Sequence, residues 1–457
     1  MNYFKEDTKR AAKKSFHYAL PKSIVNAIGD GEDKSKEQYI VKHVLDQQLH
    51  KEKQHLFSDD YAFMDTDHLN EVLGINYRAY VRNLVDKGIL DKLSESLSVK
   101  SNEYKVSTWF ERDDYLVIEI SHKEDKKLYN GYARVLKNRN VHYLRQEDYV
   151  RVMRNYILDE MTFDAEGAIE WLKENTTDEI KQDHHFNNIF KIADKRERFA
   201  DRNTTNQRFD TSVTNLKPEL RAFIDPEIDK AHIKLKNSLP FFLSELIMGI
   251  LQNRSDLKDH ISSENREYLS DIRIYLNISA WDMCKTFGFE SFISVVDFLD
   301  DIDILEYSKF SIPASEGTIY DEFAELLGDG TTGEEAKEIF FEELFSINLT
   351  LHKSLPFYNE RKKFAEVYPI IAGVINILKK EDYRSLAITL KKLESLMFID
   401  LIAQILISED IIPITIHDSV MVPYDKTNEA LDIIEDVFEE AIESVPTFVV
   451  EKIEKRS

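Results

Sequence analysis

The stretch Pro413-Ile-Thr-Ile-His-Asp-Ser-Val-Met-Val-Pro423 sets a carboxylate, an imidazole and a hydroxyl between two short apolar runs. Ile414–Ile416 on the left and Val420–Val422 on the right have the β-branched, apolar composition of two hairpin strands. A tight hairpin turn favours Asn-Gly or Asp-Gly, because its central residues need positive φ. His417, Asp418 and Ser419 stand there instead, with no glycine. Two readings stay open: an ordinary turn that tolerates Asp, or a turn built to present Asp418 at the edge of a sheet.

Composition narrows the surroundings. The chain has 457 residues, enough for two or three domains with sizeable cores. Only 13 Gly and 10 Pro against 21 Tyr and 27 Phe predict a helix-rich body with few tight turns. A single cysteine, Cys284, excludes an intrachain disulfide framework and a Cys-rich zinc site. No apolar run reaches the ~20 residues of a membrane span, and the N-terminus has no apolar core behind its charges. A cytoplasmic protein with no membrane partner is expected.

The formal charge of −24 argues against a simple basic nucleic-acid coat, but the charge is uneven. Phe289–Phe345 holds 16 Asp/Glu and 2 Lys/Arg, whereas Leu351–Lys392 holds 9 Lys/Arg and 4 Asp/Glu. A cationic strip inside an acidic protein suits a phosphate-facing groove; it also suits a set of solvated helix faces.

Working outward from the hairpin, the segments 355–381 and 383–409 read as helices leading into it, and 426–442 as an amphipathic helix closing it. Upstream, Thr332 and Glu335 form the capping-box pattern before the helix containing Lys337. The first half of IKLKNSLPFFLSELIMGIL (233–251) is strand-like, and Pro240 then opens an amphipathic helix at its first turn, where proline is tolerated. Residues 255–310 are a mixed insertion. At the N-terminal end, 1–58 is polar and helical in pattern. Residues 59–125 show helix, Gly74 turn, helix and Gly88 stop, then two candidate strands at 102–110 and 113–121. That order has the pattern of a winged helix-turn-helix. Residues 126–205 read as a helical linker region, with the Asn/Thr cluster at 203–206 as boundary.

The His417-Asp418-Ser419 turn between apolar strands resembles the third palm motif of family A DNA polymerases and of single-subunit, phage-type RNA polymerases. The ordered blocks RFDTSVTNLKPELR (208–221), KLKNSLPFFLS (234–244), GTIYDEFAELLG (317–328), TTGEEAKEIFFEELFS (331–346) and LKKLESLMFIDLIAQIL (390–406) are similar to a divergent polymerase-like family of mobile elements and phages. The resemblance covers about 206–450. It implies an α+β chain, with right-hand-like palm and fingers over 206–457 after the helical and winged-helix-like N-terminal region.

It also implies template-directed nucleotidyl transfer in replication or defence. Two Mg²⁺ (or Mn²⁺) ions would be held ~3.5–4 Å apart by converging carboxylates, and a template–primer duplex and nucleoside triphosphates would be the partners. On this resemblance Asp418 holds the metals, His417 and Ser419 orient the turn and primer end, and Lys337 faces the triphosphate. Arg208, Arg221, Asn237, Ser238 and Tyr320 then contact substrate or nucleic acid. Arg361, Lys362, Lys379, Lys380, Arg384 and Lys391 line the duplex.

Two positions depart from the family pattern. Lys234 stands where the first motif has its metal-binding aspartate, and Gly333 where the second has an arginine. An ammonium cannot ligate a divalent cation. Asp225, Glu227 and Asp229 could replace the missing acid, or Lys234 could pair with Asp418. A catalytically inactive polymerase fold, binding nucleic acid or protein as a regulator, is therefore the alternative reading. A helix-rich interaction protein with a coincidental turn is a third. His184-His185 beside Asp183 is a lesser metal candidate, since adjacent histidines point to different faces.

Overall fold

Glycine and capping residues set the local boundaries. Gly74 and Gly88 adopt φ of 75° and 67°, the left-handed conformation that ends the helices Thr66–Leu73 and Tyr77–Asp86. Thr332 Oγ1 accepts from Glu335 N, and Glu335 Oε2 accepts from Thr332 N, so the predicted capping box opens the helix Gly333–Phe345. Pro240 lies in the first turn of Ser238–Gln252, as read from the sequence. This computed structural model describes residues 15–52, 62–92, 103–107, 110, 115–139, 147–176, 179–261, 266–275, 278–300, 302, 304–328, 330–348 and 357–456.

The protein is a helix-rich α+β chain with a few small sheets. It divides into two compact units. The first comprises Met1–Asp201, Asp210–Ile228 and Glu454–Ser457; the second comprises Arg202–Phe209 and Asp229–Ile453. The block 210–228, grouped with the palm and fingers on sequence, thus packs with the N-terminal residues.

In the first unit, Ser15–Pro21 is a strand inside a region expected to be helical, and it pairs antiparallel with Tyr115–Ser121. Its side chains Phe16, Tyr18 and Leu20 are buried, which explains the conformation better than the polar residues around it. The two candidate strands of the winged-helix reading do not pair with each other. Glu103–Val106 pairs instead with Leu90–Lys92 and Ala62–Phe63. The expected hairpin wing is corrected accordingly.

The second unit is organised on a four-stranded antiparallel sheet. Its order is Ile414–Thr415, Ser419–Pro423, Lys230–Leu235, Phe448–Ile453. Along the third of these, Ala231, Ile233 and Leu235 enter the apolar core; on the other face Lys230 and His232 are buried as well and Lys234 is exposed. The helix Ser238–Gln252 then runs through that core with Phe241, Phe242, Leu246, Ile247 and Ile250 fully buried.

Gly249 on this helix is the closest approach. A Cβ there would lie 1.8 Å from the carbonyl oxygen of Ile274, which belongs to a strand and cannot swing aside. Gly249→Ala is expected to lower stability by about 1–3 kcal/mol in urea denaturation. Gly31→Ala, with nothing within 4 Å of its Cβ, is the control.

The long helical segments before the hairpin are interrupted. Tyr358–Val367 ends at Tyr368, and Pro369 starts Pro369–Leu378, because the residue before a proline is pushed out of helical conformation. Ser385–Ser395 passes into a π-helical turn at Leu396–Ile402 and returns to α-helix at Ala403–Ser408.

Candidate functional site

The hairpin forms where the sequence places it, with Ile414 opposite Met421 and Thr415 opposite Val420. Its turn is tied together by short contacts. Ile416 N donates to Ser419 O at 2.9 Å, and Ser419 Oγ donates to Ile416 O at 2.7 Å. His232 Nε2 lies 2.7 Å from the same hydroxyl, which it meets as donor because that hydroxyl's proton is already given to Ile416. His417 takes φ of 55°, the positive value that a glycine would otherwise supply. For a non-glycine residue this costs on the order of 1 kcal/mol. The Ser419 side chain is 1% exposed and wholly engaged in holding this turn.

The turn is clamped to the neighbouring strand. Leu235 N donates to Asp418 O at 3.0 Å, and Ser419 lies directly opposite Lys234 in the register. Lys234 is thus one register position from Asp418. The expected ion pair does not form: among the described residues Lys234 and Asp418 make no salt bridge, and Lys234 is exposed on the face away from the core.

Asp418 is half-buried, and its charge reaches two groups from distant parts of the chain. Tyr320 is one: burial pushes its phenol well above the ordinary range, and Asp418 pushes the same way. Glu394 is the other. It is 1% exposed, and burial pushes its carboxyl up to about 7; Arg208 opposes that rise and Asp418 adds to it. Arg208 Nη2 lies 2.6 Å from Glu394 Oε1, and Ser238 Oγ lies 3.4 Å from Oε2. Asp418, Glu394, Arg208, Ser238 and Tyr320 therefore form one constellation.

Glu394 and Asp400 follow one another along the helical run Ser385–Ser395 and Leu396–Ile402, and both are bound by the same short segment. Arg202 makes two contacts of 2.5 Å to Asp400, Arg208 takes Glu394, and Ser395 Oγ donates to Asn206 O at 3.2 Å. Residues 202–209 are strapped to the helix by two arginine–carboxylate bridges, with the π-helical turn beginning just past Glu394. The available signal was placement: Glu394 falls on the stripe Leu386, Leu390, Leu393, Met397, where an acid must find a partner.

The remaining expected site residues are dispersed. Asn237 starts the helix Ser238–Gln252 with φ of 58°. Lys337 is half-buried, its ammonium 5.8 Å from the Phe341 ring centroid. An added Cβ at Gly333 would meet Asp321 Oδ1 at 2.3 Å, so the glycine serves a close packing contact. Arg221 is buried in the first unit.

Lys362 and Lys380 are exposed; Arg384 is exposed and paired with Asp382 at 3.0 Å; Lys391 Nζ sits 4.8 Å over the Phe345 ring. Arg361 and Lys379 point inward. Arg361 is 0% exposed, 2.7 Å from Glu343, and Lys379 Nζ donates to Glu343 O at 2.6 Å. The cationic strip read from sequence is therefore not one surface.

The rescue acids are also accounted for. Asp225 belongs to the first unit, where it accepts from Thr162 N at 2.7 Å and from the Tyr156 hydroxyl. Asp229 lies 3.4 Å from Lys452, and Glu227 is exposed. Among the described residues no group of three or more His, Cys, Asp or Glu side chains is arranged to hold a metal. No protein-family model matches the chain, and no curated protein matches it.

Proposed function

We propose that the unit Arg202–Phe209 with Asp229–Ile453 is a palm of the polymerase kind that binds nucleic acid without transferring nucleotides. It would act in the cytoplasm, in the replication or defence biology of a mobile element or phage. One observation carries this reading: the acid that accompanies Asp418 is Glu394, and Glu394 is buried and bridged to Arg208. A two-metal centre needs carboxylates that are ionised, converging and open to the metal. Here one is held by a guanidinium and pushed up to about 7 by burial. The strand position opposite the turn presents an ammonium instead. The donor set does not fit a pair of magnesium ions, and no step is assigned to them.

What remains is a polar constellation and, elsewhere in the same unit, exposed lysines. Lys362 and Lys380 support phosphate contact, which is additive and sequence-independent. Among the described residues no helix is long and apolar enough to cross a membrane.

Fluorescence anisotropy with single- and double-stranded oligonucleotides between 50 and 200 mM salt tests the binding half. Affinity is expected to fall steeply with salt, and Lys362→Ala combined with Lys380→Ala to flatten the slope by about 1–2. Affinity independent of salt and of both lysines overturns it. Primer extension with Mg²⁺ and with Mn²⁺ tests the other half, and is expected to give no product above that of Asp418→Ala. Extension lost in that variant overturns the non-catalytic reading.

A further inference from the structure

The first unit holds a polar cavity of about 320 Å³ that the palm reading does not use. Its walls come from the helix Lys34–Glu52, the start of Thr66–Leu73, Tyr132, the helix Glu179–Ala193 and the segments around Glu197 and Ser212. Charged groups line it at a density unusual for an interior. Asp46 is bridged by Lys42 at 3.3 Å and Lys191 at 3.0 Å. The Lys42 ammonium also lies over the Tyr39 and Tyr132 rings, at 5.7 and 5.6 Å. Tyr132 donates to Glu197 Oε2 at 2.9 Å, and the Tyr39 hydroxyl lies 2.7 Å from His68 Nε2. The imidazoles of His43 and His68 stack at 4.9 Å, 9° from parallel.

Three buried atoms facing this cavity have no hydrogen-bond partner among the described residues: His43 Nε2, Asp46 Oδ1 and Glu197 Oε1. His43 and Glu197 are 6% and 3% exposed. Each such atom costs about 1–3 kcal/mol if nothing satisfies it, so three in one cavity call for a partner that fills it, water or ligand. Burial pushes His43 down to about 3, which keeps it a neutral imidazole able to accept or donate.

The lining also says what the ligand is. Two of the three atoms are carboxyl oxygens: Asp46, held ionised by its two lysines, accepts, whereas burial pushes the Glu197 carboxyl up and lets its free oxygen accept or donate, so the ligand brings at least one N–H or O–H donor. A phosphate is disfavoured: both lysines already engage Asp46, and Asp65 also lines the cavity. A cationic ligand would meet the ammoniums of Lys42 and Lys191. The rings of Tyr39, Tyr132, Phe199, His43 and His68 in the lining favour a flat body. We infer that this cavity binds a small uncharged heteroaromatic molecule carrying N–H donors beside a ring acceptor, the chemistry of a free nucleobase or nucleoside.

Calorimetric titration of the full chain with adenine, cytosine and guanosine, and separately with inorganic phosphate and agmatine, tests this. One of the three bases or nucleosides is expected to bind at one per chain and raise the melting temperature. Glu197→Gln, which replaces an acceptor with a donor, is expected to weaken that binding at least tenfold. Gln47→Trp, which narrows the cavity from a half-buried position, is expected to do the same with an unchanged circular dichroism spectrum. Binding of none of the three, binding untouched by Gln47→Trp, or binding only of phosphate or only of agmatine overturns the inference.

Discussion

Arg361→Ala is expected to lower the stability of the second unit by about 3–5 kcal/mol, the largest single effect among the cationic residues. Arg361 is 0% exposed; its Nε meets Glu343 Oε2 at 2.7 Å and its Nη2 donates to Ile347 O at 3.0 Å. Lys379 completes the cluster through the Glu343 carbonyl, and burial pushes its ammonium down to about 8. Truncating the arginine leaves the Glu343 carboxylate in an apolar interior with only that weakened cation nearby. Urea denaturation reads the loss. Replacing both partners, as Arg361→Met with Glu343→Leu, is expected to recover most of it, since the cost lies in the orphaned charge. A stable Arg361→Ala chain with weakened oligonucleotide binding would instead return this residue to the surface role read from sequence.

Glu394 gives the second large effect, and it depends on pH. The folded carboxyl titrates at about 7 against an ordinary 4.5, because burial and Asp418 outweigh Arg208. The folded state therefore keeps a proton that the unfolded chain has released between those values. The stabilisation is fully present below pH 4.5 and is lost as pH rises through 7. That interval corresponds to about 3 kcal/mol. Glu394→Gln removes the titration, so its stability is expected to fall less than the parent's between pH 5 and 8. Glu245, also pushed up to about 7 by burial, titrates in both proteins and cancels in the comparison. Parallel stability profiles would show that Glu394 is ionised throughout and would contradict the site as described.

The features legible in the sequence were those fixed by local chemistry. The hairpin, the Thr332–Glu335 capping box, the Gly74 and Gly88 stops and the Pro240 helix start each depend on residues a few positions apart. What the sequence hid depends on partners far along the chain. Ser15–Pro21 is a strand because Tyr115–Ser121 pairs with it, against the helical character of its neighbours. Phe448–Ile453, not anticipated, completes the sheet by pairing with Lys230–Leu235; its Val449–Val450 pair was the available sign.

The site shows the same division. Asp418 announces itself because a turn between apolar strands exposes it to scrutiny. Glu394 does not, because its role comes from Arg208, 186 positions earlier in the sequence. Arg361 and Lys379 looked like surface cations because charge counts carry no information on which face of a helix meets the core.

In the proposed reading the Asp418 turn lacks the partner it would need to hold divalent metal. Mn²⁺ titration followed by electron paramagnetic resonance, on the parent chain and on Asp418→Ala, tests it most directly. The account predicts two superimposable titrations, with no Mn²⁺ site that depends on Asp418. Two ions bound by the parent and lost in Asp418→Ala would contradict it.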